Sequence, residues 1–129
     1  MFYAFPYPVT ANDILSKKKK IDMELSAGVI HQVDILFQKD SAHKINVQIF
    51  HGSHQLWPTN PDKSIKADAT VVSFREFYEL KAARNDLYYL VWTTDTNVLK
   101  EVVVQIGILP KRIIQPLSFD ELLAAAAGF

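Results

Sequence analysis

The stretch from Ile45 to Pro61 limits most strongly what this chain can fold into. Apolar side chains alternate with mostly polar ones from residue 45 to residue 50, a period of two that is typical of a strand with one buried face. The pattern breaks at Gly52, resumes before Trp57 and stops at Pro58, which cannot donate a hydrogen bond to a sheet. We therefore predict a strand, a kink and a Trp-Pro corner at the rim of a β-sandwich, with Trp57 largely buried.

Similar short runs recur along the chain, and no internal segment has a convincing helical period. Further strands are predicted at residues 21–25, 29–38, 69 to about 74, 87–93 and 100–109. The pattern after Phe74 fits either a strand or a turn of helix. Short strands separated by turns indicate an all-β fold, a single antiparallel β-sandwich or barrel. Jelly-roll topology is our preferred interpretation and an immunoglobulin-like one the alternative.

Two of these strands carry predictions about single residues. One face of the strand at 29–38 is expected to present Val29, His31, Val33, Ile35 and Phe37. The inner face of the last strand is expected to present Val102, Val104, Ile106 and Ile108. Gly107 in that strand indicates a bulge or a close backbone approach, because glycine weakens a strand unless the space is needed.

The first twelve residues are predicted to form an extended N-terminal arm, and residues 13–110 the β-sandwich domain. Four aromatic residues share this arm with Pro6 and Pro8, which favour extended backbone. The aromatic residues are Phe2, Tyr3, Phe5 and Tyr7.

Residues 111–129 are predicted to form a C-terminal arm with a short helix. Ser118 and Glu121 have the spacing of a capping box, and the alanine-rich sequence that follows favours helix. A helix this short is marginal alone in water, so we expect it to dock on another surface. Its apolar residues are Ile113, Ile114, Leu117, Phe119, Leu122 and Leu123.

Composition excludes several classes of protein. Fourteen basic residues balance fourteen acidic ones, so the chain has no general attraction for nucleic acid or anionic membrane. The run Lys17 to Lys20 is interpreted as a solvated strand end or loop. There is no cysteine, which excludes disulfides and thiolate sites. The N-terminus lacks the basic region of a signal peptide and no apolar run could span a bilayer, so we expect a soluble protein made in the cytoplasm.

Four histidines raise the question of a metal site. His51 and His54 form an H-x-x-H pair, but Gly52 between them argues against the helix that would place both rings on one face. His31 and His43 bring no evident carboxylate partner. We therefore predict no metal and no cofactor.

No catalytic signature is present. The chain has no G-x-S-x-G, no P-loop and no G-x-G-x-x-G, and Glu76 and Glu79 are candidate acids by residue type only. We therefore predict that the protein is not an enzyme. Aromatic residues on a β-sandwich could form a sugar-stacking platform, and those considered are Trp57, Tyr88, Tyr89 and Trp92.

Two functional hypotheses follow. The first is a non-enzymatic structural protein, a jelly-roll subunit of a symmetric homo-oligomer, in a virus or phage particle and in contact with itself and other particle proteins. Its predicted interface consists of the ten apolar and aromatic residues of the two arms named above, because exposed apolar arms are rarely left in water. The alternative is a module that binds carbohydrate or another ligand.

Overall fold

The computed structural model describes residues 1–81 and 86–109. These residues form eight β-strands, and none of them is helical. The strands are β1 (Phe2–Pro8), β2 (Lys19–Asp22), β3 (Gly28–Phe37), β4 (Ile45–His51), β5 (His54–Trp57), β6 (Thr70–Leu80), β7 (Leu87–Thr93) and β8 (Glu101–Leu109). The predicted all-β class is therefore confirmed.

The strands form two four-stranded sheets, and every neighbouring pair is antiparallel. The order is β1-β8-β3-β6 in the first sheet and β2-β7-β4-β5 in the second. Consecutive strands β1 and β2 lie in different sheets, as do β3 and β4, so the chain passes repeatedly from one sheet to the other.

One hydrophobic core joins the two sheets. Val33 and Ile35 of the first sheet and Val47 and Ile49 of the second are fully buried and belong to the same cluster. The alternation predicted around residue 45 is confirmed, since Ile45, Val47 and Ile49 of β4 all belong to this core. The predicted inner face of β8 is also confirmed, because all four of its residues are buried: Val102, Val104, Ile106 and Ile108.

The Trp-Pro corner is confirmed as well. Strand β5 ends at Trp57, whose side chain is 6% exposed. Its indole packs edge-on against the rings of Phe74 and Tyr78, with centroid distances of 5.6 and 6.0 Å. Both of those rings belong to β6, so Trp57 ties the second sheet to an edge strand of the first.

The face predicted for β3 is wrong at its N-terminal end. The pairing of β3 with both neighbours shifts register between Ile30 and Gln32, which is a β-bulge that changes the side on which side chains point. As a result Ile30 joins Val33 in the core, and His31 does not. A pattern of alternation alone cannot show where such an extra residue is inserted.

Two strand boundaries also differ from the predictions. The strand expected at 21–25 ends at Asp22, although Met23 and Leu25 beyond it are buried in the core. Strand β6 does not stop near Phe74 but continues to Leu80. Its mixed pattern arises because the bulge opposite His31 places both Glu76 and Phe77 at exposed positions.

The residues predicted as an N-terminal arm are extended, but most of them form β1. This strand pairs with β8 from Phe2 opposite Gly107 to Pro8 opposite Glu101. The structure therefore shows an edge strand of the first sheet and not a segment that stands apart from it. The predicted C-terminal arm and helix, residues 111–129, lie outside the described residues.

Candidate functional site

The histidines were the candidates for a metal site. His51 and His54 lie opposite each other across the β4–β5 hairpin, and the His51 Nδ1 atom is 2.6 Å from the hydroxyl oxygen of Tyr78. Within residues 1–81 and 86–109, no group of three or more histidine, cysteine, aspartate or glutamate residues is arranged to hold a metal ion.

The aromatic residues considered as a sugar platform do not form one. Trp57, Tyr89 and Trp92 are buried, and the Tyr89 hydroxyl donates a hydrogen bond to the Phe5 carbonyl oxygen at 2.8 Å. Tyr88 is only partly buried, and its ring stacks on Phe50 with a centroid distance of 5.4 Å. These side chains consolidate the fold.

The lysine run covers the outer face of the second sheet. The ammonium group of Lys18 lies 4.3 Å from the ring centroid of Trp92, and that of Lys20 lies 4.4 Å from the ring centroid of Tyr88. Lys18 also donates a hydrogen bond of 3.2 Å to the side-chain oxygen of Gln48. Such cation–π contacts contribute modestly at exposed sites, and they place charge over rings that would otherwise face water.

Hydrogen bonds to the segment around Lys63 cover the part of this outer face that lies beside the lysines. Asn46 and Gln48 point away from the core on β4 but are buried. Ser64 donates a hydrogen bond of 2.8 Å to the Asn46 side chain, and Gln48 donates one of 2.8 Å to the Lys63 carbonyl oxygen. The segment around Lys63 therefore closes the second sheet on its outer side.

The outer face of the first sheet is different, and it is the candidate functional surface. Phe2 is 67% exposed, Val71 50% and Phe77 49%, and all three point outward from strands β1 and β6. Single exposed apolar residues are ordinary, but a group of them on one sheet face indicates an interaction surface.

One end of this face holds an aromatic groove. Phe2, His31, Gln32, Asp34, Arg75, Glu76 and Phe77 line a volume of about 470 Å³. The rings of Phe2 and His31 meet edge-on at 5.9 Å. Among the residues that the structure describes, the Nδ1 atom of His31 is a buried polar atom with no hydrogen-bond partner.

Gly107 makes this ring arrangement possible. A Cβ atom at this position would lie 2.8 Å from Phe2 Cε1 and 2.8 Å from His31 Cε1, closer than carbon atoms approach one another. The rings of Phe2 and His31 therefore occupy space over the backbone of β8 that a side chain at residue 107 would enter. The groups closest to Gly107 are thus side chains and not the backbone that we expected, and the bulge lies in the neighbouring strand β3, opposite Gly107 and Ile108.

A polar cluster follows on the same face. The Gln32 amide nitrogen donates to Asp34 Oδ1 at 2.9 Å and to Ser73 Oγ at 2.6 Å, and the Ser73 hydroxyl donates to Asp34 Oδ1 at 2.5 Å. Beyond this cluster lies an apolar groove of about 390 Å³, whose outward side chains include Leu36, Val71 and Val103. The outer face thus has an aromatic end and an aliphatic end.

Sequence reasoning missed an anchor between β1 and the loop that follows it. Asp13 is buried, and its carboxylate accepts hydrogen bonds from the Tyr7 hydroxyl at 2.6 Å and the Thr10 amide at 2.8 Å. Burial, followed by the hydrogen bond and charge of Asp13, raises the pKa of Tyr7. The sequence Thr10-Ala11-Asn12-Asp13 is typical of a turn and is the only local signal of this anchor; nothing local points to Tyr7.

The predicted interface residues fall into three groups. Phe2 is exposed on the outer face. Tyr3, Phe5 and Tyr7 are half-buried and pack against the core of their own domain. The remaining six lie outside the described residues: Ile113, Ile114, Leu117, Phe119, Leu122 and Leu123.

Comparison of the chain with models of known protein families, with curated proteins and with solved structures finds no match. In the part of the chain that the structure describes, there is no helix of the length and apolarity needed to cross a membrane.

Proposed function

We propose that this protein is a non-enzymatic structural protein, a jelly-roll subunit of a symmetric homo-oligomer. The observation that carries the proposal is the outer face of the first sheet, where Phe2, Val71 and Phe77 are exposed together. Burial of such side chains between subunits stabilises association by roughly 25 cal/mol for each Å² removed from water. Symmetric homo-oligomers are the commonest assemblies of soluble chains.

The strand order supports jelly-roll topology. Strand β1 pairs with β8, β2 with β7, β3 with β6 and β4 with β5. These pairings are those of one long antiparallel ribbon of eight strands, which is then rolled so that its strands divide between two sheets. An immunoglobulin-like sandwich has a different division of strands, so the pairing favours the jelly roll.

A virus or phage particle is the setting that we propose for the oligomer. Jelly-roll domains occur in capsids and also in lectins and cupins, so this step rests on analogy between folds. Within that proposal, the C-terminal residues 111–129 contribute to contacts between subunits, and other particle proteins are further partners. Neither nucleic acid nor membrane is proposed as a partner.

The oligomer is tested by size-exclusion chromatography with light scattering at micromolar concentration. We expect one defined oligomer. Deletion of residues 111–129 should leave a folded domain by circular dichroism, because β8 ends at Leu109, and should weaken the oligomer. A monomeric full-length protein would refute the proposal, whereas an unfolded truncated protein would show that the C-terminal residues belong to the core of their own domain.

The aromatic groove favours a second candidate function, a module that binds carbohydrate. Its exposed rings, Phe2 and Phe77, flank the amide of Gln32 and the carboxylate of Asp34. Sugars stack on aromatic rings and hydrogen-bond to amides and carboxylates. NMR titration with common mono- and disaccharides should then shift the Gln32 side-chain amide signals, and Phe77→Ala should abolish the shifts. An unchanged spectrum at millimolar sugar would reject this candidate.

A further inference from the structure

The two sheets have four edges, and three of them are protected against pairing with another chain. An exposed edge strand is a template for pairing, and proteins block such edges with proline, lysine or short strands. Strand β1 contains Pro6 and Pro8, and β2 contains Lys19 and Lys20. Strand β5 has four residues.

The edge beside β5 is protected in a further way. Ile65 pairs with Val47 of β4 through backbone hydrogen bonds of 2.9 and 2.8 Å. These bonds satisfy the backbone of β4 where β5 does not reach it. The second sheet therefore presents little unpaired backbone on this side.

The fourth edge, β6, lacks these devices over its first half. Strand β6 has eleven residues, and among the described strands it pairs only with β3. The segment Thr70–Arg75 precedes the bulge and contains no proline, glycine or lysine. It is rich in residues that favour strands, and Arg75 is its single charged residue, which is the composition of a segment prone to pairing.

We propose that Thr70–Arg75 pairs with the same segment of a second copy of this chain. The pairing is antiparallel about a two-fold axis normal to the sheet, and it joins two four-stranded sheets into one of eight strands. A second copy fits because an antiparallel edge is complementary to itself, while the other edges of this chain are blocked. This inference rests on the proposed homo-oligomer and assigns one of its interfaces.

The charges and side chains of the segment favour a register centred on Ser73. In this register Ser73 faces its own copy, and Val72 faces Phe74 on the core side, an apolar pair that forms twice. Arg75 then faces Val71, so its aliphatic stem covers an exposed apolar side chain and the two guanidinium groups stay apart. A register centred on Arg75 would place like charges directly opposite each other, which is destabilising.

The aliphatic groove lies directly beside this edge. Val71 contributes both to the groove and to the outward side of Thr70–Arg75. A paired copy therefore covers Val71 while its backbone takes up the backbone donors and acceptors of Thr70–Arg75 that face away from β3. Hydrogen bonds and apolar burial therefore act together along Thr70–Arg75.

The chain contains no cysteine, so one introduced cysteine is enough to test the register. Directly opposed Cα atoms of antiparallel strands lie about 4.5 to 5.5 Å apart, within the range of about 4.4 to 6.8 Å that a disulfide spans. Ser73→Cys should therefore form a disulfide-linked dimer under mild oxidation. Phe77→Cys on the same strand and Leu99→Cys elsewhere, both at exposed positions, should not.

Light scattering on Val71→Lys provides a second measurement that does not depend on a disulfide. The added charge at the edge should abolish the dimer while the circular dichroism spectrum remains that of the folded domain. A wild-type oligomer that persists in Val71→Lys, with no cross-linking of Ser73→Cys, would overturn this inference and leave the proposed oligomer intact. A monomeric wild-type protein would overturn both.

Discussion

The two sheets share one core but present different outer faces to their surroundings. On the second sheet, Trp92 and Tyr88 lie beneath lysine side chains, and the polar residues of β4 are covered by the segment around Lys63. On the first sheet, Phe2 and Phe77 stand exposed. Among the described residues, the outer face of the second sheet is thus covered by the chain itself. The outer face of the first sheet leaves apolar side chains exposed, and we propose it as the surface for a partner.

The largest effect is expected where the two sheets meet at one edge. Trp57→Ala should lower the free energy of unfolding by about 3–5 kcal/mol, as for other buried large aromatic residues, because the indole packs on Phe74 and Tyr78 of the opposite sheet. Urea unfolding followed by fluorescence of Trp92 and by circular dichroism measures this loss. A matched truncation, Phe77→Ala, removes an exposed ring and should leave unfolding nearly unchanged. Equal losses of unfolding free energy in Trp57→Ala and Phe77→Ala would contradict the conclusion that Trp57 links the two sheets while Phe77 lies on the surface.

The second prediction concerns the glycine under the aromatic groove. Gly107→Ala should destabilise the protein by about 1–3 kcal/mol, the usual cost of overpacking, because the new methyl group would meet the rings of Phe2 and His31. Thermal unfolding measures the change.

A double variant tests the cause. Phe2→Ala removes one of the two rings, so Gly107→Ala should cost less in that background than in the wild type. Additive effects would show that the ring of Phe2 moves away freely, and the aromatic groove would then be less firmly built than the distances imply.

The sequence predicted the parts of this fold that depend on local alternation. The buried positions of β4 and β8 follow from a period of two, and the end of β5 follows from Pro58. The pairing of β1 with β8 does not, since the two strands are separated by nearly the whole chain and hydrogen bonds between strands leave no local signal. For the same reason the sequence shows that Phe2 is apolar and lies in an extended segment, but it does not show that the ring of Phe2 lies over Gly107.

The bulge at β3 illustrates the same limit for the candidate surface. One inserted residue reverses the faces beyond it, so His31 was assigned to the same face as Val33. The grooves and the open edge of β6 both depend on this register. The positions of the grooves and of this edge could therefore not be predicted from the sequence, although the residues that form them are all present in it.

The third prediction is a loss of stability at alkaline pH. It tests the hydrogen bond from Tyr89 of the second sheet to Phe5 of the first. Burial, followed by the charges of Tyr7 and Glu101, raises the pKa of Tyr89 well above its ordinary value of 10.0. Stability from the neutral hydroxyl is therefore complete below pH 10 and declines above it, since the unfolded chain loses this proton first. Tyr89→Phe should be less stable at neutral pH, because Phe5 loses a hydrogen bond, and should show a shallower decline above pH 10. An identical decline would assign the effect to other groups.

The smallest expected effect on stability is at the exposed apolar residues of the first sheet. Val71→Thr keeps a β-branched side chain and removes apolar surface, so it should change the free energy of unfolding of the isolated domain by no more than about 0.5 kcal/mol, as surface substitutions usually do. Sedimentation velocity should nevertheless show weaker association, since Val71 is half-exposed beside the open edge. Leu15→Thr is the matched control, because Leu15 is 64% exposed but lies in the loop between β1 and β2. If both substitutions weaken association equally, general surface apolarity drives it and the first sheet has no special role. If only Val71→Thr weakens association, the outer face of the first sheet takes part in assembly.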